Sequence, residues 1–193
     1  MDVTLVSGPT SELFTLKDVK AHLNIGDGTE DDALIARLIS AARHVAQERT
    51  GRTVAACRWA VSDLSWPRGR EILLPRPPFT ALVSFTYVDA NGAAQTVPSA
   101  SYYTATAERF GRVVLKDGQS WPTARMRVPG WTITYDAGYS WPYAMPGQLQ
   151  EAMYQIIGHW YAHREGIVVG ESGMRVVELP LGIYELLRAV DVR

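Results

Sequence analysis

Near both ends of the chain apolar residues recur every three to four positions, while the stretch between them consists of β-branched and aromatic runs punctuated by Pro and Gly. The first pattern predicts helices and the second strands. A short helix starts at Thr15, whose hydroxyl can cap it. Asp18 stands at the third helical position, and Leu16, Val19 and Leu23 share one face up to about Asn24. Gly26 to Thr29 form a turn, and Thr29 with Glu30, Asp31 and Asp32 opens a second helix with acids at the positive end of its dipole. Leu34, Ile35, Leu38, Ile39, Ala42, Val45 and Ala46 fall on one face of that helix. Arg37, Ser40, His44 and Gln47 point elsewhere, and Gly51 supplies the stop. The two helices read as an antiparallel pair.

From Thr53 the residues become β-branched and aromatic, with strands expected at 54–64, 70–74, 81–88, 101–106, 111–115 and 127–135. Asn91-Gly92 suits a hairpin turn because both tolerate positive φ. The prolines of Pro75 to Pro78 cannot pair inside a sheet, so that segment is a connection or an edge. One small, curled antiparallel sheet is expected.

Helix returns after Pro146, with Leu149, Ala152, Met153, Ile156, Ile157, Trp160 and Tyr161 on a face that can pack on the second helix and close the fold around the sheet. Beyond Glu165, β-branched pairs flank Gly170 to Gly173 as a hairpin or arm that orders on assembly. A short helix from Tyr184 to Val190 follows. The expected class is α+β. A single domain spans 1–193, with helical segments 12–52 and 146–190 around a β-rich insertion at 53–142.

Composition adds little to this pattern but narrows the function. A chain of 193 residues with 47% hydrophobic and 20% charged residues builds a globular core. No apolar run is long enough to span a membrane, and the start lacks the marks of a signal peptide, so neither anchoring nor export is expected. The single cysteine, Cys57, excludes an internal disulfide and reads as a small buried hydrophobe. Basic and acidic residues number 5 and 8 in 1–50, 10 and 6 in 51–142, and 4 and 6 in 143–193. That mild central excess falls short of the basic face that binds nucleic acid by counterion release. Sixteen of the 19 basic residues are arginine, which favours protein interfaces.

Catalytic vocabulary is thin. His159 and His163 lie four apart on one helix, as in some zinc sites, but Trp160 stands where a metalloprotease carries glutamate, and no third histidine follows. The run Glu30 to Asp32 lacks the alternating spacing of a calcium loop and reads as helix capping. Ser172 in GESG lacks the strand-to-helix setting of a nucleophile elbow, and no P-loop, dinucleotide or kinase motif occurs. No metal, cofactor or catalytic centre is expected. Trp66-Pro67, Trp121-Pro122 and Trp141-Pro142 allow two readings: aromatic platforms for sugars or bases, or anchors for loop mouths.

The run Leu16, Val19, Lys20, His22, Leu23, then Asp31-Asp32, Leu34-Ile35, Leu38-Ile39, Ala41-Ala42-Arg43, Glu48 and Thr50-Gly51-Arg52 resembles the start of the head-tail connector (adaptor) family of tailed phages. Prophages and gene transfer agents also carry members of that family. Tyr135, Ala137-Gly138-Tyr139, Pro146, Leu149, Ala152, His159, Tyr161 and Arg164-Glu165 are similar to its closing helix. The resemblance implies a non-enzymatic ring, commonly of twelve subunits, that sits on the portal of a virion or phage-like particle assembled in the host cytoplasm. The ring would meet a downstream connector, stopper or tail terminator while DNA passes through its centre. The β-rich insertion departs from the smaller, helical members, and AVDVR follows Leu186-Leu187-Arg188 where the family often has Pro-Tyr-Arg. Leu186, Leu187, Arg188, Val190 and Arg193 are expected to dock on the portal, and Arg37, Arg43, His44 and Glu48 to face the neighbour in the ring. A carbohydrate-binding or tail-decoration module is the rival expectation, with a zinc-dependent hydrolase third.

Overall fold

The computed structural model describes residues 1–106, 110–124, 129–139, 145–163, 167–170, 173–176 and 179–192, with backbone alone at 106, 167–170 and 173–176. The chain divides into two compact units, one of Met1–Ser11 with Ala55–Tyr139 and the other of Glu12–Val54 with Ser140–Arg193. The class is α+β.

The first unit is built of β1 (Asp2–Ser7), β2 (Cys57–Asp63), β3 (Glu71–Leu74), β4 (Phe79–Val88), β5 (Ala94–Thr96), β6 (Tyr102–Thr106), β7 (Gly111–Leu115) and β8 (Trp131–Ala137). They form two antiparallel sheets, in the orders β1-β2-β8-β4-β5 and β3-β7-β6. Strand β8 lies at the centre of the larger sheet and shows the cleanest alternation. Trp131, Ile133, Tyr135 and Ala137 are buried, while Thr132, Thr134 and Asp136 are not. Those inward residues join Trp59, Val61 and Phe85 of the same sheet with Ile72, Leu74 and Val113 of the smaller one in a single core. The Tyr135 hydroxyl donates to the Pro75 carbonyl inside it, and burial holds that phenol far above its ordinary pKa against the lowering charge of Arg76.

Two sheets therefore replace the one expected. Alternation tells which side chains face inward but not which sheet they belong to. Strand β1 escaped the sequence pattern because all six of its residues are exposed, so it has no buried face to alternate. Segment 75–78 is a connection, as its prolines require, and joins β3 to β4. At the turn after β4 only Gly92 takes positive φ (88°), not Asn91. The Asp89 carboxylate accepts from the Asn91 and Ala93 amides at 2.9 and 3.0 Å and from the Gln95 side chain at 3.0 Å. These bonds, that from Ala93 foremost, hold its pKa below the usual carboxylate range.

The second unit comprises α1 (Leu16–Leu23), α2 (Asp32–Thr50), α3 (Gly147–Ala162), the hairpin of β9 (Ile167–Gly170) with β10 (Gly173–Val176), and α4 (Leu181–Ala189). Helix α1 starts on a capping box: the Asp18 amide donates to the Thr15 hydroxyl at 3.1 Å, and the Thr15 amide to the Asp18 carboxylate at 3.1 Å. It stops at Asn24, which adopts the left-handed conformation. Helix α2 starts at Asp32, with Asp31 and not Thr29 in the capping position and no side-chain cap, and it stops at left-handed Gly51. The Lys20 ammonium is buried between the Asp32 carboxylate at 2.5 Å and the Gly28 carbonyl at 2.6 Å, and so fixes the turn between the first two helices. Ile35, Ile39, Ala42 and Ala46 of α2 are buried, as are Leu149, Ala152, Met153, Ile156 and Ile157 of α3; the two helices pack together as their spacing predicted. Gln47 corrects the expected outward set: it is buried, and its side-chain oxygen accepts from the Val54 amide at 3.1 Å. Helix α4 begins at Leu181, three residues before the expected start, because Pro180 can precede a first turn at no cost in hydrogen bonds.

Candidate partner-binding surfaces

Helix α2 exposes Arg37, His44 and Glu48, seven and four residues apart, which puts them on one solvent-facing stripe. Arg43 is not on it. It follows Ile39 by one turn on the buried face, with its side chain 9% exposed, its Nε donating to the Glu12 carboxylate at 2.9 Å and its Nη2 to Ser40 Oγ at 3.1 Å. Arg43 thus ties the segment before α1 to α2 instead of facing outward. Replacing Arg43 by Ala is expected to destabilise the helical unit by about 1–2 kcal/mol, the cost of leaving half-buried Glu12 without its partner. Chemical denaturation followed by circular dichroism at 222 nm measures it, and an unchanged midpoint would remove Arg43 from the structural ledger.

The C-terminal set divides. Leu187 and Val190 are 2% and 7% exposed and belong to the unit's own core with Ile183, which corrects the expectation that these apolar residues are presented at the surface. Val192 donates its amide to the Thr50 carbonyl at 3.1 Å and the Arg52 Nε donates to the Val190 carbonyl at 2.6 Å, so the residues after α4 are held at the end of α2. Leu186 is half-buried, Arg188 is exposed, and Arg193 lies outside the described residues. The sequence reading passed over Leu181, which is 82% exposed at the start of α4.

His159 near the end of α3 and His163 in its C-capping position bring their rings to 4.6 Å between centroids, tilted by 38°, and among the described residues no three His, Cys, Asp or Glu groups converge as a metal site. The acidic run is engaged in packing: Asp31 hydrogen-bonds the Tyr161 hydroxyl and Asp32 pairs with Lys20. Trp66 stacks on Trp121 (5.1 Å, 6°) and on Trp131 (5.7 Å, 4°). The Trp121 and Trp131 indoles donate to the Gly69 and Ser65 carbonyls at 2.9 and 2.8 Å, so these rings anchor the loop that carries Trp66. The third Trp-Pro pair, Trp141-Pro142, lies outside the described residues.

Three of the ten basic residues in 51–142 pair with carboxylates, and a fourth lies over an aromatic ring. Arg58 grips Asp136 with two hydrogen bonds of 2.7 and 3.0 Å, Arg70 pairs with Asp117 at 3.0 Å, Arg112 pairs with Glu71 at 2.9 Å, and Arg76 lies over the Trp59 ring.

Residues 14–75, from the residue before the Thr15 cap to just past β3, match the family of phage gp6-like head-tail connector proteins. No curated protein matches the chain. Among solved structures, a chain of the neck of an empty gene transfer agent particle, solved with sixfold symmetry, is 21% identical, with a TM-score of 0.75 over 100% of this chain and 96% of that one. A chain of the virion of a native gene transfer agent particle is 20% identical at a TM-score of 0.75, again over 100% and 96%. A chain of the native neck, solved with twelvefold symmetry, is 18% identical at 0.73 with the same coverage. The resemblance read from the sequence holds: the chain carries the head-tail connector signature over residues 14–75 and, along its whole length, the fold of chains from gene transfer agent particles.

Proposed function

We propose that this chain is a structural adaptor at the head-tail interface of a phage-like particle. The observation that carries the reading is the coincidence of a connector signature over residues 14–75 with a full-length likeness to chains of particle necks. In this reading copies form a ring, twelve in number as the twelvefold neck suggests, seated on the portal. The ring presents its other face to a downstream connector, stopper or tail terminator, and the copies come together in the host cytoplasm. Heterologous contacts between identical subunits close when the rotation per copy divides the circle. The exposed stripe of Arg37, His44 and Glu48 on α2 is the proposed ring contact, supported by its charged and hydrogen-bonding character. Portal docking falls to Leu181, Leu186 and Arg188 of α4, since Leu187 and Val190 are engaged in the core. DNA passes through as traffic: ten basic against six acidic residues in 51–142 fall short of a basic face, and a conduit gains nothing by holding its cargo.

Negative-stain imaging of the purified protein mixed with its portal tests the reading. A ring of added density at the portal's narrow end is expected. Portals that remain bare at micromolar concentrations of the protein would overturn it.

A further inference from the structure

Among the described residues strand β1 has β2 alone as a neighbour, so its outer edge offers backbone N–H and C=O groups for pairing. Proteins blunt such edges with inward-pointing charges, prolines, bulges or a covering element. Here the only charge in the strand is Asp2 at its start, and the register slips only near the far end, between Leu5 and Ser7. Val3, Leu5 and Val6 are 37%, 47% and 54% exposed. Val3 and Leu5 stand opposite Val61 and Trp59, both buried, so they extend the core face of the sheet past its covering layer. What fits this edge is another extended segment carrying apolar residues.

The chain supplies one. The hairpin of β9 and β10 forms a two-stranded sheet that pairs with no other strand among the described residues. A two-stranded hairpin is marginal by itself in water, and gains stability when a third strand joins it. Its sequence, IVVG and GMRV, has the β-branched, apolar character of a strand that pairs on both sides. Its four-residue strands fit within the six-residue β1 edge.

We propose that in the assembled ring the β9–β10 hairpin of one copy adds to the β1 edge of the next, extending that copy's five-stranded sheet. The inference rests on the ring reading above and supplies its inter-subunit bond. Edge and hairpin are different surfaces, so the contact is head-to-tail, the kind that propagates around a ring. Backbone pairing sets the direction, and the apolar side chains of β1 become covered only once the neighbour arrives.

Cysteine cross-linking in rings assembled on the portal tests it, in a Cys57→Ala background. Copies carrying Leu5→Cys are mixed with copies carrying one of Val168→Cys, Val169→Cys, Met174→Cys or Arg175→Cys; the adjacent positions sample both faces of each hairpin strand. Oxidation is expected to give disulfide-linked mixed dimers for at least one partner. Chains carrying both cysteines are then expected to give a ladder of linked copies. A ring that forms without cross-links overturns the pairing and leaves the ring reading intact. So does a bond formed only within one copy, or a bond from Leu5→Cys to Gln95→Cys on the opposite sheet edge. Absence of any ring overturns both. In parallel, Leu5→Lys should leave the melting temperature of the isolated chain unchanged and cut recovery on the portal about tenfold. Full recovery of that variant would equally overturn the pairing.

Discussion

Replacing Phe85 by alanine is expected to destabilise the β unit by about 3–5 kcal/mol, the usual cost of emptying a buried aromatic site. Phe85 is 1% exposed, and its ring meets Tyr102, Trp66, Trp121 and Trp131 edge-on with centroids 5.4, 5.7, 6.1 and 6.4 Å away. It therefore stands against the Trp66 stack from the side, where edge-to-face contacts add about 0.5–1.5 kcal/mol per pair beyond area burial. The cavity cannot collapse easily, because Trp121 and Trp131 are fixed by indole hydrogen bonds to the loop at Ser65 and Gly69. For a unit of this size the loss lowers the melting temperature on the order of 20 °C. Near-ultraviolet circular dichroism reports the tryptophan stack directly, and its signal should fade with the same midpoint. Phe85→Leu should recover more than half of the loss. A Phe85→Ala protein that melts within a few degrees of the parent would show that the stack does not organise this core.

That experiment bears on what could be read from the residues alone. The helical faces of α2 and α3 were legible because burial follows a period of three to four, and the α1 start because Thr15 and Asp18 stand at the spacing a capping box needs. Strand β8 was legible from its β-branched and aromatic run, though it spans Trp131–Ala137 where 127–135 was expected. Strand β1 was not, since an edge strand exposed on every residue leaves no periodic trace. The stacking of Trp66 between separate strands and loops was also hidden, because it joins residues 55 and 65 positions apart in the chain. For the candidate surfaces, Arg43 misled because its acid, Glu12, is 31 residues away and outside the helix. Leu187 and Val190 misled for a different reason. Their spacing from Ile183, four and then three, is that of a buried helical face, so the signal was present and outweighed by their closeness to the C-terminal end.

Gly138→Ala is expected to be the most damaging single methyl in the β unit. Gly138 follows β8 at φ 131°, a conformation that side-chain-bearing residues rarely adopt, and its amide donates to the Pro78 carbonyl at 2.9 Å. A Cβ there would lie 2.6 Å from the Ala55 carbonyl oxygen and 2.7 Å from both the Ala55 carbonyl carbon and Ala56 Cα. Those atoms are backbone just before β2 and cannot swing away as a side chain would. The end of β8, the entry to β4 and the approach to β2 thus meet at this one residue. Backbone strain alone costs about 1–3 kcal/mol, and relieving the clash adds a similar amount, so about 4 kcal/mol is the central expectation. Gly118 separates the two causes. It also has positive φ, at 75°, but a Cβ there meets nothing within 4 Å. Gly118→Ala should therefore cost only the strain, about 1–2 kcal/mol. Urea unfolding followed by tryptophan fluorescence compares the pair. Equal losses would mean that conformation, and not the close approach of three chain segments, is what requires glycine at 138.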